Sequence, residues 1–380
     1  RHARGVAKVE NAFGSINQRT LCSDTIQINF CIVKNLMDLK SMYSALQLGA
    51  QTAYAELFDQ TRSLDLSGFA KLRGAFHVRQ LHGREYVYFG YRDTDDAGRM
   101  AYVGPNNERV QQLIRAYNAG KAPMQLQPLV RSCAALGVMP AIDKHYKIIQ
   151  RLSDYGFFKA GGLLIGTHAF IAMGNMLGVR WTGGDKTLDV DLAHAGRNVS
   201  VALRAHMKLS VHDALTSLEM GLLPIREFSG KTGAQYRNPK DPELRIDFVT
   251  SLTRAAGNVE MAQLGIALTP LKFMEFSLIN TTQAVVMGRS GACVVNIPAP
   301  ERYAIHKLIV YGERPIAERT KSNKDLEQAA AILQWLLDNN QRDLIGQTWE
   351  DAWSRGKGWQ KRLRQGWQAL WQRHPELDFN

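Results

Sequence analysis

The sequence has few cysteines and no long apolar run. Its four cysteines are widely scattered, and no pair has the two-residue spacing of a metal or redox motif. This argues against a disulfide framework and against a zinc site, so we expect a reducing, cytoplasmic setting. No apolar run reaches the roughly 18 residues that a membrane-spanning helix needs, and the first residues lack the layout of a signal peptide. We therefore predict no membrane association.

Acidic residues are outnumbered by basic ones. The chain has 47 lysines and arginines against 35 aspartates and glutamates, which gives a formal net charge of +12. An excess of this size favours an acidic partner, with nucleotides and nucleic acids as the obvious classes. A length of 380 residues suffices for two or three domains.

Composition and periodicity divide the chain into four predicted regions. Residues 1–38 have mixed composition and weak periodicity, so we treat them as an extension, with an arm that packs on a partner as the alternative. Residues 39–140 are expected to form an N-terminal helix and a basic β-hairpin region, residues 141–315 the core, and residues 316–380 a helical C-terminus. Individual elements predicted from the pattern include a helix over 39–60, strands over 273–278, 284–287 and 293–297, and a helix over 301–312.

The stretch from 160 to 195 organises the rest of the chain. Residues 160–165 form a short apolar run typical of a buried strand, and Gly166 and Thr167 follow it. Helical apolar spacing then runs from His168 to residue 177, and Gly178 is expected to end that helix. A glycine and a hydroxyl residue at a strand-to-helix junction are suited to phosphate binding by backbone N–H groups.

Two aspartates stand on the next predicted strand, residues 188–193. Alternation places Asp189 and Asp191 on one face, roughly 6.5–7 Å apart, and the apolar residues 188, 190 and 192 on the other. Two such carboxylates repel unless a cation lies between them, and Mg²⁺ prefers ligands of this kind. A solvent-facing strand edge with two harmless carboxylates is the alternative.

A third carboxylate, Asp247, stands in another alternating segment, residues 244–252. With it, the motifs Ile-Gly-Thr (165–167) and Asp-Val-Asp (189–191) resemble those of the DNA polymerase β-type nucleotidyltransferase superfamily. Within it the chain is most similar, over about residues 40–340, to a poorly characterised bacterial group of nucleotidyltransferase-like proteins. It is more distantly similar to the abortive-infection toxin nucleotidyltransferases.

The resemblance implies an α+β fold in which a sheet is flanked by helices. A hairpin predicted over 225–238, between the aspartate strands, indicates that this sheet is mixed and mostly antiparallel after its first crossover. The resemblance also implies that Asp189, Asp191 and Asp247 are catalytic and hold two Mg²⁺ ions, with Mn²⁺ as a substitute. It further implies transfer of NMP from an NTP to an RNA (including tRNA), protein or small-molecule acceptor, with release of pyrophosphate. By the same resemblance, Gly166, Thr167 and Lys307 bind the nucleotide phosphates, with Arg314 and Arg319 behind Lys307.

Basic residues elsewhere have two interpretations. Arg79 and Arg84 alternate with tyrosines such as Tyr88 around a predicted hairpin, a composition that suits single-stranded nucleic acid or an ordinary soluble sheet edge. Lys231 and Arg237 are near the expected site, as phosphate contacts or as solvated turn residues.

Three other functions stay open at the level of the sequence. The first is a catalytically inactive nucleotide- or RNA-binding module on the same fold. The second is the toxin of a toxin–antitoxin pair, which is a refinement of the transferase. The third is a metal-dependent nuclease, which the Gly-Thr turn disfavours.

Overall fold

The computed structural model describes nine stretches of the chain, which together leave out the predicted N-terminal extension. They are residues 41–66, 74–81, 83–92, 98–119, 123–195, 210–226, 232–252, 257–261 and 264–377. Within them no helix is both long and apolar enough to cross a membrane.

Helices and strands alternate irregularly along these stretches, as expected for an α+β protein. The helices are α1 (Leu48–Leu66), α2 (Glu108–Ala119), α3 (Pro123–Ala135), α4 (Asp143–Asp154), α5 (Gly166–Met176), α6 (Val211–Thr216), α7 (Pro300–Glu313), α8 (Arg319–Asp338), α9 (Arg342–Ser354) and α10 (Lys357–Arg373). The strands are β1 (Tyr43–Ala45), β2 (Gly74–Leu81), β3 (Arg84–Arg92), β4 (Gly98–Pro105), β5 (Gly162–Leu164), β6 (Val179–Trp181), β7 (Asp189–His194), β8 (Leu223–Arg226), β9 (Thr232–Asn238), β10 (Asp241–Ser251), β11 (Val259–Met261), β12 (Ile266–Leu271), β13 (Thr281–Met287) and β14 (Ala292–Pro298).

The described residues divide into two compact units. The larger unit comprises residues 45–180 and 185–298, and the smaller one comprises residues 41–44, 181–184 and 299–377. The larger unit holds the other sheets and the first six helices, the smaller one holds α7 to α10, and the short strands β1 and β6 lie at the boundary. The domain boundaries derived from the sequence remain predictions.

A seven-stranded mixed sheet forms the centre of the larger unit. Its main strand order is β11-β12-β10-β7-β5, and β9 pairs with β10 and with β8. The pairs β7–β10 and β10–β12 are parallel, while β5–β7, β9–β10, β8–β9 and β11–β12 are antiparallel. The predicted fold class, a mixed sheet with flanking helices and a helical C-terminus, is confirmed.

Two helices cover the hairpin β13–β14. Helices α1 and α3 pack against the hairpin β13–β14 through a buried apolar cluster that includes Tyr54, Leu57, Val130 and Val285. The Tyr54 hydroxyl accepts a hydrogen bond from the Val285 backbone N–H at 3.0 Å, so the one polar atom of this ring has a partner.

The predicted basic hairpin forms, and a third strand joins it. Strands β2, β3 and β4 make an antiparallel three-stranded sheet of their own. Val87 and Phe89 on its central strand are buried, so this sheet has one apolar face that packs and one that faces outward.

Three predicted elements are wrong or displaced. The segment over 273–278 is a 3₁₀ turn at Met274–Phe276, because Phe273 takes a left-handed backbone conformation with φ 65° that no strand accommodates. The first helix begins at Leu48 rather than at residue 39, since residues 43–45 form strand β1, which pairs with β6. Leu188 precedes β7 and is 54% exposed, so it does not share the buried face of Val190.

Candidate active site

Four polar side chains share one face of the neighbouring strands β7 and β10. In the parallel register Asp189 lies beside Arg245 and Asp191 lies beside Asp247. Residues paired in this way point to the same side of a sheet. The two strands that carry the aspartates are therefore neighbours, and all three carboxylates stand on the same face.

The opposite face of the same two strands is apolar and fully buried. It presents Val190, Leu192, Ile246 and Phe248, each 0% exposed. Phe248 packs edge-to-face against Phe157, with the ring centroids 5.8 Å apart. Because this packing fixes the alternation of both strands, it also fixes the side on which the aspartates stand.

The three aspartates converge closely enough to share a cation. One oxygen from each of Asp189, Asp191 and Asp247 can be chosen such that all lie within 4.8 Å of one another, and all three residues are partly exposed. Hard oxygen donors at this spacing fit Mg²⁺ or Mn²⁺. The Thr187 hydroxyl donates a hydrogen bond to Asp189 Oδ1 at 2.7 Å and orients this carboxylate.

Arg245 is a member of the cluster that the sequence analysis missed. Its Nη2 lies 3.1 Å from Asp189 Oδ2 and its Nε lies 3.2 Å from Asp247 Oδ2. Partial burial opposes the charge on Arg245, but the three aspartates outweigh that effect and raise the pKa of the guanidinium. Strand alternation was the available signal, since Arg245 and Asp247 stand two residues apart.

Gly166 lies directly against the Asp191 carboxylate. It begins helix α5 with φ +61°, and a Cβ at this position would clash with Asp191 Oδ2. The preceding Ile165 N–H donates to the Asp191 carbonyl at 3.0 Å, which connects the strand-to-helix turn to β7. Thr167, the next residue, is only 5% exposed, and its phosphate-binding role stays a prediction.

Two buried histidines stand behind this turn. His168 Nε2 on α5 and His145 Nδ1 on α4 are 2.9 Å apart, and the rings meet edge-to-face. Burial is the main cause that lowers the pKa of His145, so the neutral ring is favoured. Lys144, next to it, contacts Asp241 at the start of β10 at 2.7 Å. The histidine contact therefore joins α4 to α5, and the Lys144–Asp241 ion pair joins α4 to β10.

Lys307 belongs to the smaller unit, on α7. Its Nζ lies 2.6 Å from Asp325 Oδ1 and 5.2 Å from the centre of the Tyr303 ring. Arg314 Nε binds the other oxygen of Asp325 at 2.8 Å. Burial disfavours the charged carboxylate of Asp325, but Lys307 and Arg314 outweigh it and hold its pKa below the ordinary value. The phosphate-binding role of Lys307 stays a prediction.

Three other cations were predicted near the phosphates: Arg237, Lys231 and Arg319. Arg237 on β9 stands opposite Arg245 in the antiparallel register, and its side chain is exposed on the carboxylate face. Lys231 and the Arg319 side chain lie outside the described part of the chain.

Comparisons with known proteins give one family match. A family model described as "Nucleotidyltransferase" matches residues 143–354, more than half of the chain. No curated protein matches the sequence. Among solved structures, the chain is similar to an antigenic nucleotidyltransferase-like protein from Paracoccidioides brasiliensis, with 15% identity and a TM-score of 0.31. The match covers 63% of this chain and 93% of that one.

Proposed function

The chain belongs to the nucleotidyltransferase family whose model matches residues 143–354, and from that premise we propose that it transfers a nucleotidyl group from an NTP to an acceptor, with release of pyrophosphate. The observation that carries the proposal is the convergence of Asp189, Asp191 and Asp247 within 4.8 Å. This arrangement supplies three oxygen donors on a rigid sheet, in the part of the chain that the family model covers.

Under this proposal each residue has a defined task. Asp189 and Asp191 on β7 would hold divalent cations together with Asp247 on β10. Two Mg²⁺ ions would lower the pKa of that hydroxyl and offset the charge that develops on pyrophosphate. Gly166 and Thr167 offer the N-terminal N–H groups of α5 to the triphosphate.

Lys307 and the choice of acceptor are the finer parts of the proposal. The resemblance assigns Lys307 to phosphate binding, and its ammonium group forms an ion pair with Asp325. The acceptor is an RNA, a protein or a small molecule with a free hydroxyl. The proposed setting is a reducing cytoplasm, as the scattered spacing of the four cysteines favours.

One observation favours a second candidate function, a module that binds nucleotides without transferring them. Arg245 contacts both Asp189 and Asp247, so a protein cation already neutralises part of the cluster. Three carboxylates against one guanidinium still leave an excess of negative charge, and this excess is the reason that we prefer the transferase.

Transfer and binding can be separated with Asp247→Asn, which keeps the size of the side chain and removes its charge. We expect label transfer from NTP to fall on the order of a hundredfold or more, since electrostatic stabilisation of the transition state is lost. NTP affinity should change little, because the phosphates contact other groups. Both quantities are measured on the same preparations, with labelled NTPs, Mg²⁺, and total RNA or protein as acceptor.

The exposed Asp59→Asn on α1 is the matched control for loss of one carboxylate. Wild-type transfer by Asp247→Asn would show that Asp247 is not the third catalytic carboxylate. If the wild type binds NTP and labels no acceptor, the binding-module function is the better one.

A further inference from the structure

Three tyrosines cluster on the outward face of the β2–β4 sheet. In the ladders Tyr88 stands directly between His77 and Tyr102, and Tyr86 stands opposite Arg79. Directly opposite residues share a face. The Tyr102 ring centroid lies 5.5 Å from that of Tyr88 and 6.1 Å from that of Tyr86. We call the side of the sheet with Tyr86, Tyr88 and Tyr102 the tyrosine face.

The tyrosine face is more open to solvent than the centre of the other side of the sheet. Val87 and Phe89 alternate with the tyrosines on β3 and are 0% and 9% exposed. On the tyrosine face Tyr102 is 58% exposed and Met100 is 41% exposed. Tyr102 therefore lies outside the core of the sheet, while Tyr86 and Tyr88 beside it are half-buried.

The charges on the tyrosine face are of one sign. The Arg79 guanidinium lies 5.5 Å from the centre of the Tyr88 ring, and the exposed Arg84 points to the same side, two residues before Tyr86. Glu85 alternates to the opposite side, where the Asn106 amide donates to its carboxylate at 2.7 Å. Among the side chains described on this face, none is acidic.

We propose that the tyrosine face binds single-stranded nucleic acid. Unpaired bases stack on exposed aromatic rings, and neighbouring arginines contact the phosphates. Base-paired strands bury the ring faces of their bases, so aromatic rings that bind by stacking select single strands over duplex. The formal net charge of +12 favours the same class of partner. This binding goes beyond the proposed transfer reaction, because it requires neither NTP nor a divalent cation.

The proposal is tested by fluorescence anisotropy with labelled oligonucleotides of about a dozen nucleotides, without NTP and with chelator. One strand is used as RNA, as DNA and annealed into a duplex. The wild type should bind both single strands more tightly than the duplex. The ratio of the RNA and DNA affinities shows whether the ribose 2′-hydroxyl contributes to binding. Tyr102→Ala and Tyr88→Ala should each weaken binding about fivefold or more, which is the lower end of the cost of losing one stacked base.

Two variants separate stacking from altered folding. Tyr102→Phe keeps the ring and should bind as the wild type does. Val78→Ala, at a 51% exposed position on the other side of β2, should also leave affinity unchanged.

The proposal is overturned if the duplex binds as well as the single strands, or if both tyrosine variants bind like the wild type. It is also overturned if the wild type binds no single strand. In that case, self-association that Tyr102→Ala abolishes in analytical ultracentrifugation would assign the face to a second copy of the chain. Because NTP is absent throughout, these outcomes are independent of the transferase test.

Discussion

At the scale of single residues, Arg245 sets the charge of the aspartate cluster before any cation binds. It contacts two of the three carboxylates, which would otherwise repel one another across a few ångströms. Under the proposed function, a divalent cation would therefore compete with this guanidinium for Asp189 and Asp247. Arg245 would then stabilise the protein without metal and weaken the binding of metal.

Arg245→Met should reverse both effects. We expect a lower melting temperature without metal, because three carboxylates are left without their counter-ion. We also expect the Mg²⁺ or Mn²⁺ concentration at the midpoint of the melting shift to fall by about tenfold, which corresponds to about 1.4 kcal/mol. The measurement is a thermal melt at a series of metal concentrations.

Arg131→Met, at an exposed position on α3, is the control for loss of one arginine. An unchanged metal midpoint in Arg245→Met would show that the guanidinium does not compete with the cation. If the wild type shows no melting shift with either metal, the aspartate cluster is not a metal site.

At the scale of elements, two glycines allow helices α7 and α10 to cross closely. A Cβ at Gly312 would lie 2.6 Å from the carbonyl oxygen of Arg362, and one at Gly366 would clash with the backbone of Leu308. Backbone atoms of a facing helix cannot move aside as a flexible side chain can. The close crossing therefore depends on the absence of side chains at these positions.

Gly366→Ala should lower the free energy of unfolding by about 1–3 kcal/mol, which is typical of overpacking, although alanine favours helix formation. Gly346→Ala on α9 is the matched control, since nothing lies within 4 Å of that position. It should gain up to about 1 kcal/mol from helix propensity. Denaturant unfolding of both variants checks the prediction, and equal stability would contradict the close crossing.

Elements with a strong period could be predicted from the sequence, and those set by distant contacts could not. The alternation around Asp191 and Asp247 gives both strands, because one apolar face and one polar face leave a single register. Strand β6, by contrast, is three residues long and exists because it pairs with β1. Three residues are too few to show the alternation of apolar and polar side chains that identifies a strand.

The same distinction applies to the candidate site. The three aspartates and Gly166 follow from motif and alternation, and the structure brings them together. Arg245 stands in the same alternating segment as Asp247. It was missed because a metal-binding motif is expected to carry carboxylates, and a protein cation between two of them is not. The partner of Lys307 is Asp325, 18 residues further along the chain, and no local pattern connects them.

At the scale of the whole molecule, buried neutral histidines make stability depend on pH. Burial lowers the pKa values of His145, His194 and His306, because an apolar interior disfavours the charged ring. The unfolded chain binds a proton at each of these positions near pH 6.5. Acid therefore favours the unfolded state.

His306 on α7 gives the sharpest case. Burial, followed by the nearby Lys307, lowers its pKa to about 4, although Asp325 acts in the opposite direction. Its folded pKa is below the unfolded value, so its contribution is fully present above pH 6.5 and is lost as the pH falls towards 4. The loss amounts to about 3 kcal/mol.

Denaturant unfolding at pH 7, 5.5 and 4.5 tests this role of His306. The free energy of unfolding should fall more steeply as the pH is lowered in the wild type than in His306→Gln, whose side chain does not titrate. Since that variant loses native packing, the slopes with pH are compared rather than the absolute stabilities. The exposed His77→Gln controls for the loss of one histidine, and parallel slopes for the wild type and His306→Gln would mean that His306 is not kept neutral by burial.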